Sequence, residues 1–125
     1  MADIYLPGYP ENMSAQEVTI AASASASEII ATQGRLLVGI FMPAAWTAAD
    51  IAFKVGVNQR EGDMKNIGAS AITTPAIAAV FIAFPSPETL LVPFIQLVSV
   101  TAGTTTGVPQ AAERKFVLLF RSATG

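Results

Sequence analysis

The residues able to do chemistry in this chain are few and far apart. There is no Cys and no His among its 125 residues. Zinc sites of the common type, thiol catalysis, disulfides and Ser-His-Asp triads are therefore excluded by composition. The closest acidic pair is Glu61 and Asp63, in the stretch NQREGDMKN. Paired carboxylates can bind a hard cation through oxygen. This pair lacks the spacing of a calcium loop and has Arg60 and Lys65 beside it, so the stretch is expected to be a solvated loop. General acid–base work needs two carboxyl groups poised in one cleft. Asp3, Glu11, Glu17, Glu28, Asp50, Glu88 and Glu113 stand singly in the sequence. Gly103 and Gly107 flank Thr104, Thr105 and Thr106, but no Lys and no helix follow as a phosphate loop requires. That segment is expected to connect strands, and its hydroxyls make Thr104, Thr105 and Thr106 candidates for a polar protein contact. Trp46, the single tryptophan, follows a strongly apolar run; it is either a lid on the core or a protein hot spot or stacking platform. No catalytic, cofactor-binding or metal-binding residue is assigned, no cofactor is implied, and the chain is not expected to be an enzyme.

Bulk composition is consistent with this. The mass is 13.0 kDa, which predicts one domain with its own core. Hydrophobic residues make up 52%, a share inflated by 22 alanines, and charged residues only 13%. The formal net charge is -2, without the basic footprint that unaided nucleic-acid binding needs. The N-terminus has neither a basic n-region nor a long apolar stretch, so no signal peptide is expected. The longest apolar runs, Leu36 to Trp46 and Pro75 to Pro85, have 11 residues each. A membrane-spanning helix takes about 20, and no membrane association is expected. So little charge suggests a surface that partners cover.

The elements that would position these residues read as strands. Residues 1–16 form an expected extended arm, where Pro7, Gly8 and Pro10 interrupt the apolar Tyr5, Leu6 and Tyr9. The arm either folds back on its own domain or stays loose, or it docks on a neighbouring subunit; these three side chains are unusual cargo for a free tail and are the candidate anchors for such docking. A domain is expected over residues 17–121, with a short tail at 122–125. Within it, Glu17 to Ile20 alternates polar and apolar, AASASAS reads as a turn or loose strand end, and Glu28 to Ala31 is a short strand. Arg35 to Met42 is a buried strand bounded by Gly34 and Pro43. Pro43 to Asp50 is expected to hold a short helical turn capped by Thr47. Ile51, Phe53, Val55 and Val57 share one face at period 2. Further strands are expected at Ile67 to Thr74, Ala76 to Phe84, Phe94 to Val100 and Lys115 to Arg121, and a one-turn helix or irregular piece at Leu90 to Val92. Leu37, Phe81, Leu97 and Leu118 join Ile51, Phe53, Val55 and Val57 as the expected core. Many short strands with Gly/Pro turns and no amphipathic helix predict an all-β, antiparallel β-sandwich or jelly-roll-like domain.

The stretch LLVGIFMPAAWTAADIAFKVGV, Leu36 to Val57, resembles a pattern in small structural proteins encoded in tailed-bacteriophage genomes. There an apolar strand ends in V-G-I-x-M-P-A-A-W-T-A-A and an alternating strand follows. The family's last loop reads S-G-T-S-x-x-P-V-N-Q-A-A-x-R, and Ala102 to Arg114 here is AGTTTGVPQAAER. The resemblance runs over residues 16–121; it departs at Asn58 to Asn66, where relatives carry a D-G-G-T-T-W type hairpin. It implies a virion structural protein, first of all a capsid decoration (cement) protein that binds and stabilises the outer shell. Such a protein would be made in the bacterial host cytoplasm and reside on the capsid surface. Its partners would be the major capsid protein or other virion proteins, with a homo-oligomer, preferably a trimer, as its own state. A head-fibre or tail-associated virion protein is the alternative. A carbohydrate-binding module of similar fold is a further one, against which stands the lack of a Tyr/Trp platform.

Overall fold

The computed structural model describes residues 13–66, 74–83 and 92–122. They form nine strands: β1 Met13–Ile20, β2 Ala26–Ala31, β3 Arg35–Phe41, β4 Asp50–Gly56, β5 Lys65–Asn66, β6 Thr74–Pro75, β7 Phe81–Ala83, β8 Phe94–Val100 and β9 Arg114–Ser122. All pairings are antiparallel, and among the described residues there is no α-helix, only a 3-10 turn at Glu61–Asp63. The strands join in the order β5-β4-β8-β2-β1-β9-β3-β7, with β6 also on β4, as one sheet curled into a half-barrel. Two halves, one of five strands (β5, β6, β4, β8 and β2) and one of four (β1, β9, β3 and β7), meet at β1 and β2, which register only at Ile20 and Ser27. The terminal strands β1 and β9 are in register along eight positions, from Met13↔Arg121 to Ile20↔Arg114, in the middle of the sheet.

Alternation builds the core on the concave side. In β9, Phe116, Leu118 and Phe120 are fully buried, while Lys115, Val117, Leu119 and Arg121 turn away. Val18 and Ile20 of β1, Leu37 and Ile40 of β3, Ile51 and Phe53 of β4, and Ile95 and Leu97 of β8 complete one cluster drawn from both halves. Burying each of these side chains contributes about 1.5–3 kcal/mol. At the cluster's edge the Arg35 guanidinium lies 4.2 Å over the Phe120 ring. It donates to Ser14 Oγ and Gln16 Oε1 of β1, at 3.2 and 2.9 Å, and through Nε to the Thr32 carbonyl at 2.8 Å. One side chain thus ties β1, the β2–β3 turn and β9 together.

Ile51, Phe53, Leu37, Leu97 and Leu118 are buried as the alternation predicts, and Val55 is half-buried against the cluster. Val57 and Phe81 are not core residues. Val57 is 79% exposed because β4 stops at Gly56, so the period-2 pattern outruns the strand that gives it meaning. Phe81 is 44% exposed because it registers opposite Phe41 and shares its outward side, leaving Ile82 to face in. Val57→Asp is accordingly expected to change stability by no more than about 0.5 kcal/mol in a urea melt; a loss above 2 kcal/mol would mean the residue is buried after all.

Other boundaries shift too. Met13 to Gln16, read from sequence as the end of the arm, are the first half of β1. Ala76 to Phe84 is not one strand: a turn at Ala78–Ala79, with Ala79 at φ 63°, precedes the short β7. Pro43 to Ala49 is an irregular loop with no helical turn, and Thr47 caps nothing. The rest of the expected arm with Tyr5, Leu6 and Tyr9, most of the strand expected at Ile67 to Thr74, and Leu90 lie outside the described residues. No described helix is long and apolar enough to cross a membrane.

Candidate functional site

At one end of the sheet the loop after β3 and the loop before β9 are clasped by one buried side chain. Gln110 is 0% exposed. Its Oε1 accepts from the Thr47 backbone N–H at 2.9 Å and from Arg114 Nε at 3.2 Å, and its Nε2 donates to the Thr47 carbonyl at 3.2 Å. Thr47 Oγ1 in turn accepts from the Ala111 N–H at 3.0 Å and Arg114 Nη2 at 3.2 Å. The Gln110 backbone bonds to Ala24 and Ser23, so the β1–β2 turn joins the clasp. A primary amide suits this place because it can donate and accept at once, leaving no buried atom unpartnered. The clasp joins MPAAWTAA to VPQAAER, the segments on which the sequence resemblance rests.

Trp46 sits beside it, half-buried. Its ring meets Phe116 edge-on at 5.5 Å, and its Nε1 donates to the Ala49 carbonyl at 3.2 Å. Of its two sequence readings, this geometry matches the lid on the core. Thr104, Thr105 and Thr106 are at the same end, on a hairpin tip beyond β8. The tip is closed by the Thr101 N–H to Thr106 carbonyl bond at 2.9 Å and the Val100–Gly107 bridge. The Thr104 hydroxyl is used within the tip, donating to the Thr101 carbonyl and accepting from the Thr106 N–H. Thr105 and Thr106 are exposed. At the base of this hairpin Ser99 Oγ donates to the Val108 carbonyl.

The acidic pair has structural partners. Asp63 Oδ2 accepts from Asn58 Nδ2 at 3.1 Å, and Glu61 Oε1 accepts from Gln96 Nε2 at 3.0 Å. Gln96 is 1% exposed and also donates to the Ser27 carbonyl, which pins the charged loop to β8 and β2. At the sheet's other end a cavity of about 440 Å³ is lined by residues 31–34 and 92–94. Its one hydroxyl, on Thr32, is spent on the Val92 carbonyl.

The feature that sequence reasoning missed is the convex side of the half-sheet β1-β9-β3-β7. Cross-strand registers place Ala15, Leu119, Gly39 and Ala83 in one row across it, and Glu17, Val117, Phe41 and Phe81 in the next. Strand positions that face water are normally polar. Here the middle is apolar, with Glu17, Lys115 and Arg121 around it. Phe41 is 45% exposed and packs on Phe81 with ring centroids 4.6 Å apart. The Phe81 ring lies over Gly39, where a Cβ would come within 2.2 Å of Cζ. Gly39→Ala is therefore expected to push the ring off the face and to cost about 1–2 kcal/mol in a urea melt, as overpacking does. Phe81→Ala in the same chain should recover most of that loss; an equal loss in both backgrounds would mean that the ring is not what Gly39 accommodates. The signal for this face was present in KFVLLFR, whose Val117 and Leu119 alternate with three buried residues and are apolar where polar residues would serve.

Trp46 and the Thr104–Thr106 tip thus share one end of the sheet. Met13, where the expected arm would join, is in register with Arg121 at the other end. No family model, curated protein or solved structure matches the chain.

Proposed function

We propose that this chain is a structural component of a tailed-bacteriophage particle, a capsid decoration (cement) protein that binds and stabilises the outer shell rather than an enzyme. The observation that carries the reading is the apolar convex face of β1-β9-β3-β7, built around Val117, Leu119, Phe41 and Phe81, which marks a chain that is covered by other protein chains, copies of itself included, in an assembly. Exposed apolar patches on small soluble domains are marks of protein contact. The resemblance of MPAAWTAA and VPQAAER to small virion proteins supports the same reading and supplies the class of partner, the major capsid protein or another virion protein. In this reading the protein is made in the host cytoplasm and resides on the capsid surface. Its own state is a homo-oligomer, with a trimer suited to a local three-fold axis of a shell. In this reading the curled sheet is a sandwich or jelly-roll-like fold whose two halves are the layers, which is supported by the main core cluster that both halves feed.

The test is the composition of particles purified from cells that produce the phage encoding this chain. The chain is expected in them at high copy number, with a cryo-EM map assigning it to the outer shell. Its absence from purified particles would overturn the proposal, and density only on a fibre or tail would replace it with the head-fibre or tail-associated alternative.

A further inference from the structure

We infer that the convex face of β1-β9-β3-β7 is the receiving surface for residues Met1 to Asn12 of a neighbouring copy of this chain. The inference goes beyond the virion reading, since it concerns contacts between copies and holds or fails on the purified protein alone.

Three observations commit the face to this occupant. The first is chemical match. The face is apolar across Ala15, Val117, Leu119, Phe41 and Phe81. The segment before Met13 offers Ile4, Tyr5, Leu6 and Tyr9 within twelve residues. Tyrosine suits a half-wet sheet surface because it combines a large apolar area with a polar tip. The second is charge. The bases at the face are Lys115 and Arg121, with Glu17 as the acid. The segment carries Asp3 and Glu11 and neither Lys nor Arg. Opposite signs at the rim set the register of such a contact more than its strength.

The third is where the segment starts. β1 delivers the chain at Met13, in register with Arg121 at the end of the sheet. Twelve residues reach at most about 40 Å. The face is three strand spacings wide, about 15 Å. Met13 lies at the end of the sheet, so the face of a copy placed beyond that end is within the segment's reach. Each copy then gives one segment and receives one, either reciprocally in a pair or head-to-tail in a ring where the rotation closes. Pro7 and Pro10 restrict the segment before it docks, so less conformational freedom is lost on binding.

The experiment uses the full chain. Phe41 is replaced by the photo-reactive benzoyl-phenylalanine, which keeps an aromatic ring on the face. Equal amounts of ¹⁴N and ¹⁵N protein are mixed in urea, refolded together and irradiated, and cross-linked peptides are read by mass spectrometry. Cross-links from position 41 to a peptide within Met1 to Asn12 are expected, with mixed-isotope pairs among them. In a second full-length variant, Tyr5→Ser, Leu6→Ser and Tyr9→Ser together should abolish these cross-links and lower the mass seen by light scattering, while leaving the circular dichroism spectrum unchanged. Arm cross-links confined to same-isotope pairs would show that the segment covers its own face and would overturn the inference. So would cross-links only to another part of the chain, or a triple variant that assembles as the parent does.

Discussion

Phe116→Ala is expected to lower the free energy of unfolding by about 3–5 kcal/mol. Phe116 is fully buried in β9, the strand that both β1 and β3 need as a partner. Its ring also supports Trp46 edge-on at 5.5 Å, a contact of about 0.5–1.5 kcal/mol beyond the area buried. Small domains have only about 5–15 kcal/mol in total, so the variant should be partly unfolded at moderate temperature. Urea melts followed by circular dichroism and by the emission of the single tryptophan would measure it. Phe41→Ala, the same truncation on the convex face, should cost about 1 kcal/mol or less. Similar losses in the two variants would mean that the concave and convex faces have been assigned wrongly.

Gln110→Ala is expected to cost about 2–3 kcal/mol, more than its position in a Gly- and Thr-rich loop would suggest. The truncation leaves the Thr47 N–H, the Thr47 carbonyl and Arg114 Nε without a partner at once. An unsatisfied buried group costs about 1–3 kcal/mol; Thr47 and Arg114 are half-buried, so water recovers part of the loss. Because the clasp also holds the loop carrying Trp46, the variant's emission should shift to longer wavelength before global unfolding begins. Gln110→Glu separates the roles. It keeps the acceptor for Thr47 and Arg114 but sets a buried carboxylate oxygen against the Thr47 carbonyl, so its loss should shrink as the pH falls and the carboxyl gains a proton to donate. A Gln110→Ala chain with unchanged emission and under 1 kcal/mol of loss would show that the two loops hold together without the amide.

Much of the fold was legible because burial writes itself into alternation. In β4 and β9 the apolar positions that recur at period 2 include the core residues Ile51, Phe53, Phe116, Leu118 and Phe120. Two kinds of information were not available locally. Where a strand stops is decided by its neighbour, so Val57 continued a pattern whose hydrogen-bonding partner had ended at Phe94, opposite Gly56. Which side of a short edge strand faces in is decided by register, and only pairing with Phe41 turns Phe81 outward. The candidate site was less legible still. Gln110 reads as one polar residue among many in a loop, and its burial follows from the Thr47 backbone 63 residues away. The convex face is spread over β1, β3, β7 and β9, and each contributes only one or two apolar residues to it.

The position of β9 has a consequence for how the protein is made. It is the last of the described strands, yet it lies between β1 and β3. While residues 114–122 are still being synthesised, β1 has no partner in this half-sheet and β3 has only the short β7, and Val18, Leu37 and Ile40 have no Phe116, Leu118 or Phe120 to pack against. Folding of this half-sheet on the ribosome must therefore wait until residues 114–122 have been made. Its decisive step closes a loop of nearly the whole chain, which places the domain among the slower-folding β proteins. A nascent chain stalled before Arg114 exposes two apolar strand edges and is the species that chaperones would have to hold.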